Sequence, residues 1–128
     1  MARLNLNTAG ITTVLAKYPA LPLTVNSADI VWTASGADFA DGAKFTLTGR
    51  EVLLIRNDNA GAQTVTITSV IDDKNRTGDI TAYSIGIGEY AVMPPFSPEG
   101  WMQTDGCLYF AASAADLYFA VLRVPAMN

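Results

Sequence analysis

Histidine is absent from this sequence of 128 residues. Its absence removes the commonest general base, the commonest metal ligand and every Ser-His or Cys-His nucleophile pair. Carboxylates remain as candidate acid and base groups, but none stands in a context that would separate the pKa values of a catalytic pair. These candidates are Glu51, Asp72, Asp73, Asp79, Glu89 and Glu99. We therefore expect no enzymatic activity, no catalytic residue and no cofactor.

Cysteine occurs once, at Cys107, so the chain cannot form an internal disulfide. Because Cys107 begins the apolar strand pattern Cys107-Leu108-Tyr109-Phe110, we expect a small buried hydrophobe rather than a reactive thiol. The first residues show neither a long apolar segment nor a secretory cleavage pattern, so we expect synthesis without secretion through that route.

Charged residues are also scarce, at 16% of the chain against about 25% in typical soluble proteins. The net charge is −4 and the eight basic residues are scattered, so no nucleic-acid partner is expected. No apolar run approaches the roughly 20 residues that span a bilayer, so no membrane partner is expected either. The low charge equally favours a surface that meets another protein and a neutral surface rich in Thr, Ser and Asn.

Residues 1–28 show no sustained apolar period, and Pro19 and Pro22 oppose both a helix and a sheet ladder. We predict an extended N-terminal arm over residues 1–28, followed by one domain over residues 29–128. The arm either lies along its own domain or reaches over a neighbour, and we slightly favour the neighbour. The only helical turn that we predict lies around residues 11–17.

From residue 29 onward, short strand patterns alternate with turn signals at the spacing of a β-sandwich or barrel. The predicted strands are 29–34, 43–48, 51–56, 63–70, 80–85, 89–93, 107–111 and 117–124. Strand 51–56 is apolar on both faces and should be central. Strands 80–85 and 89–93 should pair with each other around Gly86-Ile87-Gly88. Within 63–70, Val65 and Ile67 should be buried.

The stretch 93–124 combines a proline-rich aromatic corner with a final strand that is apolar on both faces. Such a strand needs cover from the rest of the domain, from another chain, or from both. Trp101 is the best single anchor for a protein contact. The residues that we predict at a protein interface come from the arm, the corner and the final strand: Leu4, Leu6, Tyr18, Leu21, Leu23, Phe96, Trp101, Met102 and Tyr118.

Two further groups of residues are candidate ligand sites. The polar loop 72–80 partly matches a calcium loop through Asp73, Asn75, Thr77, Gly78 and Ile80, but its twelfth position is Ser84 instead of a glutamate. We favour an exposed loop over a weak cation site and expect no metal. The same loop could also be a contact point for a partner. The aromatic residues are favoured as core or interface over a sugar-binding platform; they are Trp32, Trp101, Tyr83, Tyr90, Tyr109, Tyr118, Phe96 and Phe119.

Several segments between residues 36 and 124 resemble small structural proteins of tailed bacteriophages, namely the head decoration or cement proteins. The segments are 39–54, Thr64-Val65-Thr66-Ile67-Thr68, Arg76-Thr77-Gly78-Asp79-Ile80-Thr81, Pro95-Phe96, Gly100-Trp101-Met102-Gln103-Thr104-Asp105-Gly106 and Ala120-Val121-Leu122-Arg123. These motifs are structural and specify a family more than an activity.

The resemblance implies an all-β, antiparallel β-sandwich with a jelly-roll-like topology. It also implies a virion protein that binds the outer capsid surface, stabilises contacts between major capsid subunits and is made in the host bacterial cytoplasm. The expected partners are the major capsid protein and further copies of the chain, as a trimer in preference to a dimer. The alternatives are another virion part (a head fibre base, a tail or a connector protein) and a carbohydrate-binding attachment module.

Overall fold

A computed structural model describes residues 3–9, 11–13 and 30–124, and in this part the chain forms an all-β fold, as predicted. Its helical segments are α1 (Leu6–Ala9) and α2 (Pro98–Trp101), and a 3-10 turn covers Phe39–Asp41. The strands are β1 (Leu4–Asn5), β2 (Thr12–Thr13), β3 (Thr33–Ala34), β4 (Ala43–Thr46), β5 (Glu51–Asn57), β6 (Gln63–Thr68), β7 (Ile80–Ile85), β8 (Tyr90–Val92), β9 (Cys107–Ala112) and β10 (Leu117–Arg123).

The strands form two sheets. Sheet 1 has the order β1-β4-β9-β6-β7, and sheet 2 has the order β2-β10-β5-β8. The short strand β3 also pairs with β10. Since β5 occupies the whole length of one edge of β10, β2 and β3 share its other edge. Strand β5 lies between β10 and β8 and is therefore central, as the sequence predicted.

One hydrophobic core lies between the two sheets. Val65 and Ile67 of β6 are fully buried, which confirms the prediction for that strand. Phe110 of sheet 1 meets Phe119 of sheet 2 edge to face, with 4.8 Å between the ring centroids. Because the alternate residues of each strand point to the same face, this contact requires the two sheets to pack face to face as in a β-sandwich. Cys107 is buried as predicted.

The expectation of purely antiparallel sheets is wrong. Both sheets are mixed, because β1 runs parallel to β4 and β2 runs parallel to β10. Parallel neighbours need a long connection between them, and here each pair is separated by a large part of the chain. A sequence pattern gives the position of a strand, but the direction of its neighbour depends on where distant segments pack.

The predicted pairing of strands 80–85 and 89–93 is also wrong. Strand β7 pairs with β6 in sheet 1, whereas β8 pairs with β5 in sheet 2. The chain crosses between the sheets at Gly86–Gly88, where the buried Asn57 donates from Nδ2 to the carbonyls of Ile85 (2.9 Å) and Gly86 (3.2 Å). The backbone amide of Gly88 donates to the Asn57 carbonyl. These bonds fix a crossing between the two sheets, where the sequence suggested a hairpin.

The described part of the predicted arm contacts the chain's own domain. Strand β1 extends sheet 1 and β2 extends sheet 2, and between them lies α1, which the sequence did not predict. Leu4 is half-buried, and Leu6 is buried in the core, which corrects its expected place at an interface. Tyr18, Leu21 and Leu23 lie outside the described residues, as do residues 14–17 of the predicted helical turn.

Candidate protein-interaction site

The proline-rich corner folds onto the core through two aromatic rings. Phe96 is only 4% exposed and belongs to the core, which corrects its expected place at an interface. The half-buried Trp101 packs on it, with 4.7 Å between the ring centroids. Between them, Gly100 adopts φ +95° and the Met102 amide donates to the Pro98 carbonyl (3.0 Å), so α2 is a tight corner rather than a regular helix. Trp101 is thereby held in one position while part of it faces solvent.

The loop that follows β6 is organised by the carboxylate of Asp72. Its Oδ1 accepts from the backbone amides of Lys74 (2.9 Å) and Arg76 (2.8 Å), and its Oδ2 accepts from Arg76 Nε (2.8 Å). Asn75 takes the left-handed conformation at φ +61°, which asparagine tolerates better than most residues. The hydrogen bond from the Arg76 backbone amide is the largest of the interactions that lower the pKa of Asp72. The loop is therefore ordered by its own side chains.

Asp79 ties the end of this loop back to its beginning. Its Oδ1 accepts from the backbone amide and the hydroxyl of Ser69, both at 2.8 Å, and these two bonds lower the pKa of Asp79. The Ser69 hydroxyl in turn accepts from the amide of Gly78 (2.9 Å). A loop closed at both ends loses little further conformational freedom when a partner binds.

The loop and the corner meet, although they are distant in the sequence. The amide of Val70 donates to the carbonyl of Gly100 (2.8 Å). A shallow pocket of about 230 Å³ lies between them, with Arg76, Thr77 and Trp101 in its lining. We call this joint surface, formed by residues 69–79 and 98–102, the corner site. The sequence indicated each half separately, but nothing in it indicated that they adjoin.

Acidic groups dominate the rim of the corner site. The carboxyl groups of Glu99 and Asp73 are neighbours, and the interaction with Asp73 raises the pKa of Glu99. Asp72 also contributes to the rise. The corner site contains four carboxylates (Asp72, Asp73, Asp79 and Glu99) and two basic side chains, Lys74 and Arg76, of which Arg76 is ion-paired with Asp72. The site therefore favours a partner surface that is apolar at its centre and basic at its edge.

The carboxylate that organises this loop has no oxygen left free to bind a cation. Both carboxylate oxygens of Asp72 are engaged by Arg76 and by backbone amides. Within residues 3–9, 11–13 and 30–124, no three carboxylate or thiol side chains are grouped closely enough to hold a metal ion.

The predicted interface residues are thus divided between surface and interior. Trp101 and Met102 come together in the corner site, where Met102 is 39% exposed. Sequence reasoning missed Ile71, which is 64% exposed beside Val70. An isoleucine between a strand pattern and a run of polar residues was the signal for it.

Tyr118 lies elsewhere, on the outer face of sheet 2. It is half-buried there, because the Arg56 guanidinium stacks on its ring at 4.4 Å and on the Trp32 ring at 5.0 Å. The same face carries Tyr90, edge-on to Trp32 with 6.0 Å between the ring centroids. Leu117, Phe119 and Val121 of β10 face the core, so one side of the final strand is covered by its own domain.

The comparisons with known proteins give no assignment: no family model matches the chain, and no curated protein or solved structure is similar to it at a significant level. Among the helical segments of the described residues, none has the length and apolar character needed to span a membrane.

Proposed function

We propose that this chain is a capsid decoration protein that binds the outer surface of a bacteriophage head and stabilises contacts between major capsid subunits. The observation that carries the proposal is the corner site, in which Trp101 packs on Phe96 and exposed apolar side chains occur in the same two segments as several carboxylates. Aromatic anchors held in a fixed position are typical of binding hot spots. The resemblance of residues 36–124 to decoration proteins supplies the kind of partner.

Such a protein acts through binding energy alone. If it binds the assembled shell but not the separate coat subunits, it stabilises the shell by mass action. Many copies on one particle add their contributions, so a modest affinity per copy is sufficient. The absence of histidine from the sequence accords with a role that needs no general base.

The corner site supports a particular kind of coat surface. Trp101, Met102 and Ile71 would cover apolar side chains of the coat, and the carboxylates of Asp73 and Glu99 would lie opposite Lys or Arg. Because Trp101 and the 69–79 loop are held by internal contacts before binding, little ordering entropy opposes the association. Further copies of this chain are proposed as the second partner, with a trimer at a threefold position favoured over a dimer.

We also propose a jelly-roll-like topology and an arm in residues 1–28. In support of the first, β4, β5 and β6 alternate between the two sheets, as do β8, β9 and β10. In support of the second, β1 is an outer strand of sheet 1 and β2 is an outer strand of sheet 2, and from these positions the arm can reach a neighbouring molecule. An experimental structure of the protein on its capsid would show whether residues 14–28 contact a neighbouring molecule.

The test is binding of the purified protein to capsids of its own virus, measured by co-sedimentation. Ile71→Lys and Met102→Glu, which alter exposed side chains of the corner site, should each weaken binding by about tenfold or more. The matched control is Ile87→Lys, a similarly exposed isoleucine between β7 and β8, which should bind as the unaltered protein does. The proposal is wrong if the protein does not bind these capsids, and the corner site is wrong if all variants bind equally.

Two rival functions have their own tests. Copy number per virion, from quantitative mass spectrometry, separates decoration from a tail or connector role, because decoration requires a simple ratio to the coat protein. The aromatic group of Trp32, Tyr90 and Tyr118 favours a carbohydrate-binding module as the second candidate. A specific glycan-array signal that is lost in Trp32→Ala or Trp101→Ala would support it. Arg56 already occupies one ring face of Trp32 and of Tyr118, which leaves less room for a sugar to stack.

A further inference from the structure

Strand β8 leaves sheet 2 with an open edge, in that no described strand pairs with its outer side. Its inner side pairs with β5, and two hydrogen bonds that flank this ladder show which backbone groups point inward. The Met93 amide donates to the Leu53 carbonyl (2.8 Å), and the Asn57 amide donates to the Glu89 carbonyl (3.1 Å). In an antiparallel ladder, the backbone groups of successive residues point to opposite sides. Odd-numbered residues of this stretch therefore point toward β5, and the even-numbered residues of β8 point outward.

Tyr90 and Val92 are those even-numbered residues. Their amides and carbonyls face the open edge, and their side chains are the two most exposed large apolar groups among the described residues, at 67% and 68%. The ring of Tyr90 is held edge-on by Trp32. Backbone groups free to form hydrogen bonds and exposed apolar side chains thus occur on the same two residues. That combination fits an added β-strand.

The β7 edge of sheet 1, by contrast, has features that discourage strand addition. In β7, Ala82 adopts φ +53°, and the pairing with β6 shifts register between Val65 and Ile67. The Ala82 amide donates to the hydroxyl of Thr66 (3.0 Å) instead of to a carbonyl. Such a bulge interrupts the regular ladder that an added strand needs. The Tyr90–Val92 edge contains no bulge, no charged residue and no proline within the strand, and its short length is its one restraint.

We propose that β8 pairs antiparallel with β8 of a second copy of this chain, about a two-fold axis at Ala91. In this register Tyr90 of each copy lies opposite Val92 of the other, so their outward amides and carbonyls form about four hydrogen bonds. The exposed side chains of the same residues cover one another on the outer face of the combined sheet.

The edge is complementary to itself, which is why a second copy is the occupant. Glu89 lies opposite Met93 of the second copy, so no like charges meet across the axis. Pro94, which has no amide hydrogen, ends the ladder just beyond it. A two-fold contact of this kind uses the same residues on both molecules. It adds to a threefold association without excluding it, since it can link neighbouring trimers.

The test measures mass and backbone protection together, on the full chain, across about two orders of magnitude in protein concentration. Sedimentation equilibrium should show a step that at least doubles the mass, starting from 13.6 kDa or, where the threefold association has already formed, from three times that value. Val92→Lys, which places a charge on the edge, should shift the midpoint to about tenfold higher concentration or beyond. Tyr83→Lys places the same charge at an exposed apolar position of β7 in sheet 1 and should leave the midpoint unchanged.

Amide hydrogen exchange identifies the surface involved. Exchange at Tyr90 and Val92 should slow as the concentration rises, whereas exchange at Ala91, which faces Ile55 of β5, should stay constant. A monomer at every concentration, or a dimer that persists in Val92→Lys, would overturn the proposal. Protection of Tyr90 and Val92 in the dilute monomer would also overturn it, because a segment of the same chain would then occupy the edge. None of these outcomes depends on the capsid function, since the assay contains only this chain.

Discussion

Glu51 and Arg123 form an ion pair at the margin of the sandwich, with 2.6 Å between Glu51 Oε2 and Arg123 Nε. The two residues are direct partners in the β5–β10 ladder. The Glu51 side chain is fully buried, whereas that of Arg123 is 28% exposed. Thr48 completes the shell around Glu51 by donating its amide and its hydroxyl, both at 2.6 Å. A buried carboxylate is tolerable here because each of its oxygens accepts hydrogen bonds.

Removing the Glu51 carboxylate should destabilise the fold. Glu51→Ala leaves the Thr48 amide and Arg123 without their acceptor, so we expect a loss of about 2–4 kcal/mol in the free energy of unfolding. Water can reach Arg123, which keeps the loss below that of a fully buried pair. Urea unfolding followed by circular dichroism measures it. Lys44→Met, which removes the more exposed pair with Asp105, is the control and should change stability by less than about 1 kcal/mol.

The same pair should make stability depend on pH. Burial alone would raise the pKa of Glu51, but the hydrogen bonds from Thr48 and the Arg123 guanidinium outweigh it and hold the pKa below its usual 4.5. A lowered folded-state pKa means that this contribution is present at neutral pH and is lost as the pH falls below about 4.5. The stability difference between the unaltered protein and Glu51→Gln should therefore shrink from about pH 6 to pH 3. Unfolding curves across this range measure it, and a difference independent of pH would contradict the assignment.

Asn57 should be about as important to stability as Glu51, because it holds the crossing between the two sheets. Its buried Nδ2 donates to the carbonyls of Gly61, Ile85 and Gly86, so Asn57→Ala should cost about 2–4 kcal/mol in the free energy of unfolding. Asn57→Asp preserves the shape but sets a carboxylate against these carbonyl oxygens, and it should cost at least as much at pH 7.

Chemical denaturation of the two variants at pH 7 measures both losses. The control is Asn75→Asp, the same change at an exposed loop position, which should alter stability by less than about 0.5 kcal/mol. If Asn57→Asp were as stable as this control, the carbonyl contacts of Nδ2 would contribute nothing to the fold.

Local patterns predicted the strands well and their partners poorly. Alternation in 63–70 placed Val65 and Ile67 in the core because side chains of a strand alternate between its faces. Strands 80–85 and 89–93 looked like a hairpin because they are close in sequence, yet Asn57 directs them to different sheets. The bonds that decide this come from a residue more than twenty positions away, which a local pattern does not contain.

The corner site shows the same division. The sequence singled out Trp101 as an anchor and residues 72–80 as an exposed loop. Their contact depends on the Val70–Gly100 hydrogen bond, which joins segments that are distant along the chain. Phe96 appeared as an interface residue because aromatic residues are frequent in both cores and interfaces, and only its packing assigned it to the core.

The sequence by itself determined the all-β class, the positions of the strands from residue 43 onward, the buried faces and a composition that contains no histidine. These properties follow from the two-residue period of a strand and from the residue types, so they need no knowledge of distant contacts. The tertiary structure alone decided the membership of each sheet, the parallel course of β1 and β2, the corner site and the open edge at Tyr90 and Val92. Backbone hydrogen bonds can be satisfied by any neighbouring strand, and the shared core that chooses among these neighbours exists only once the chain has folded.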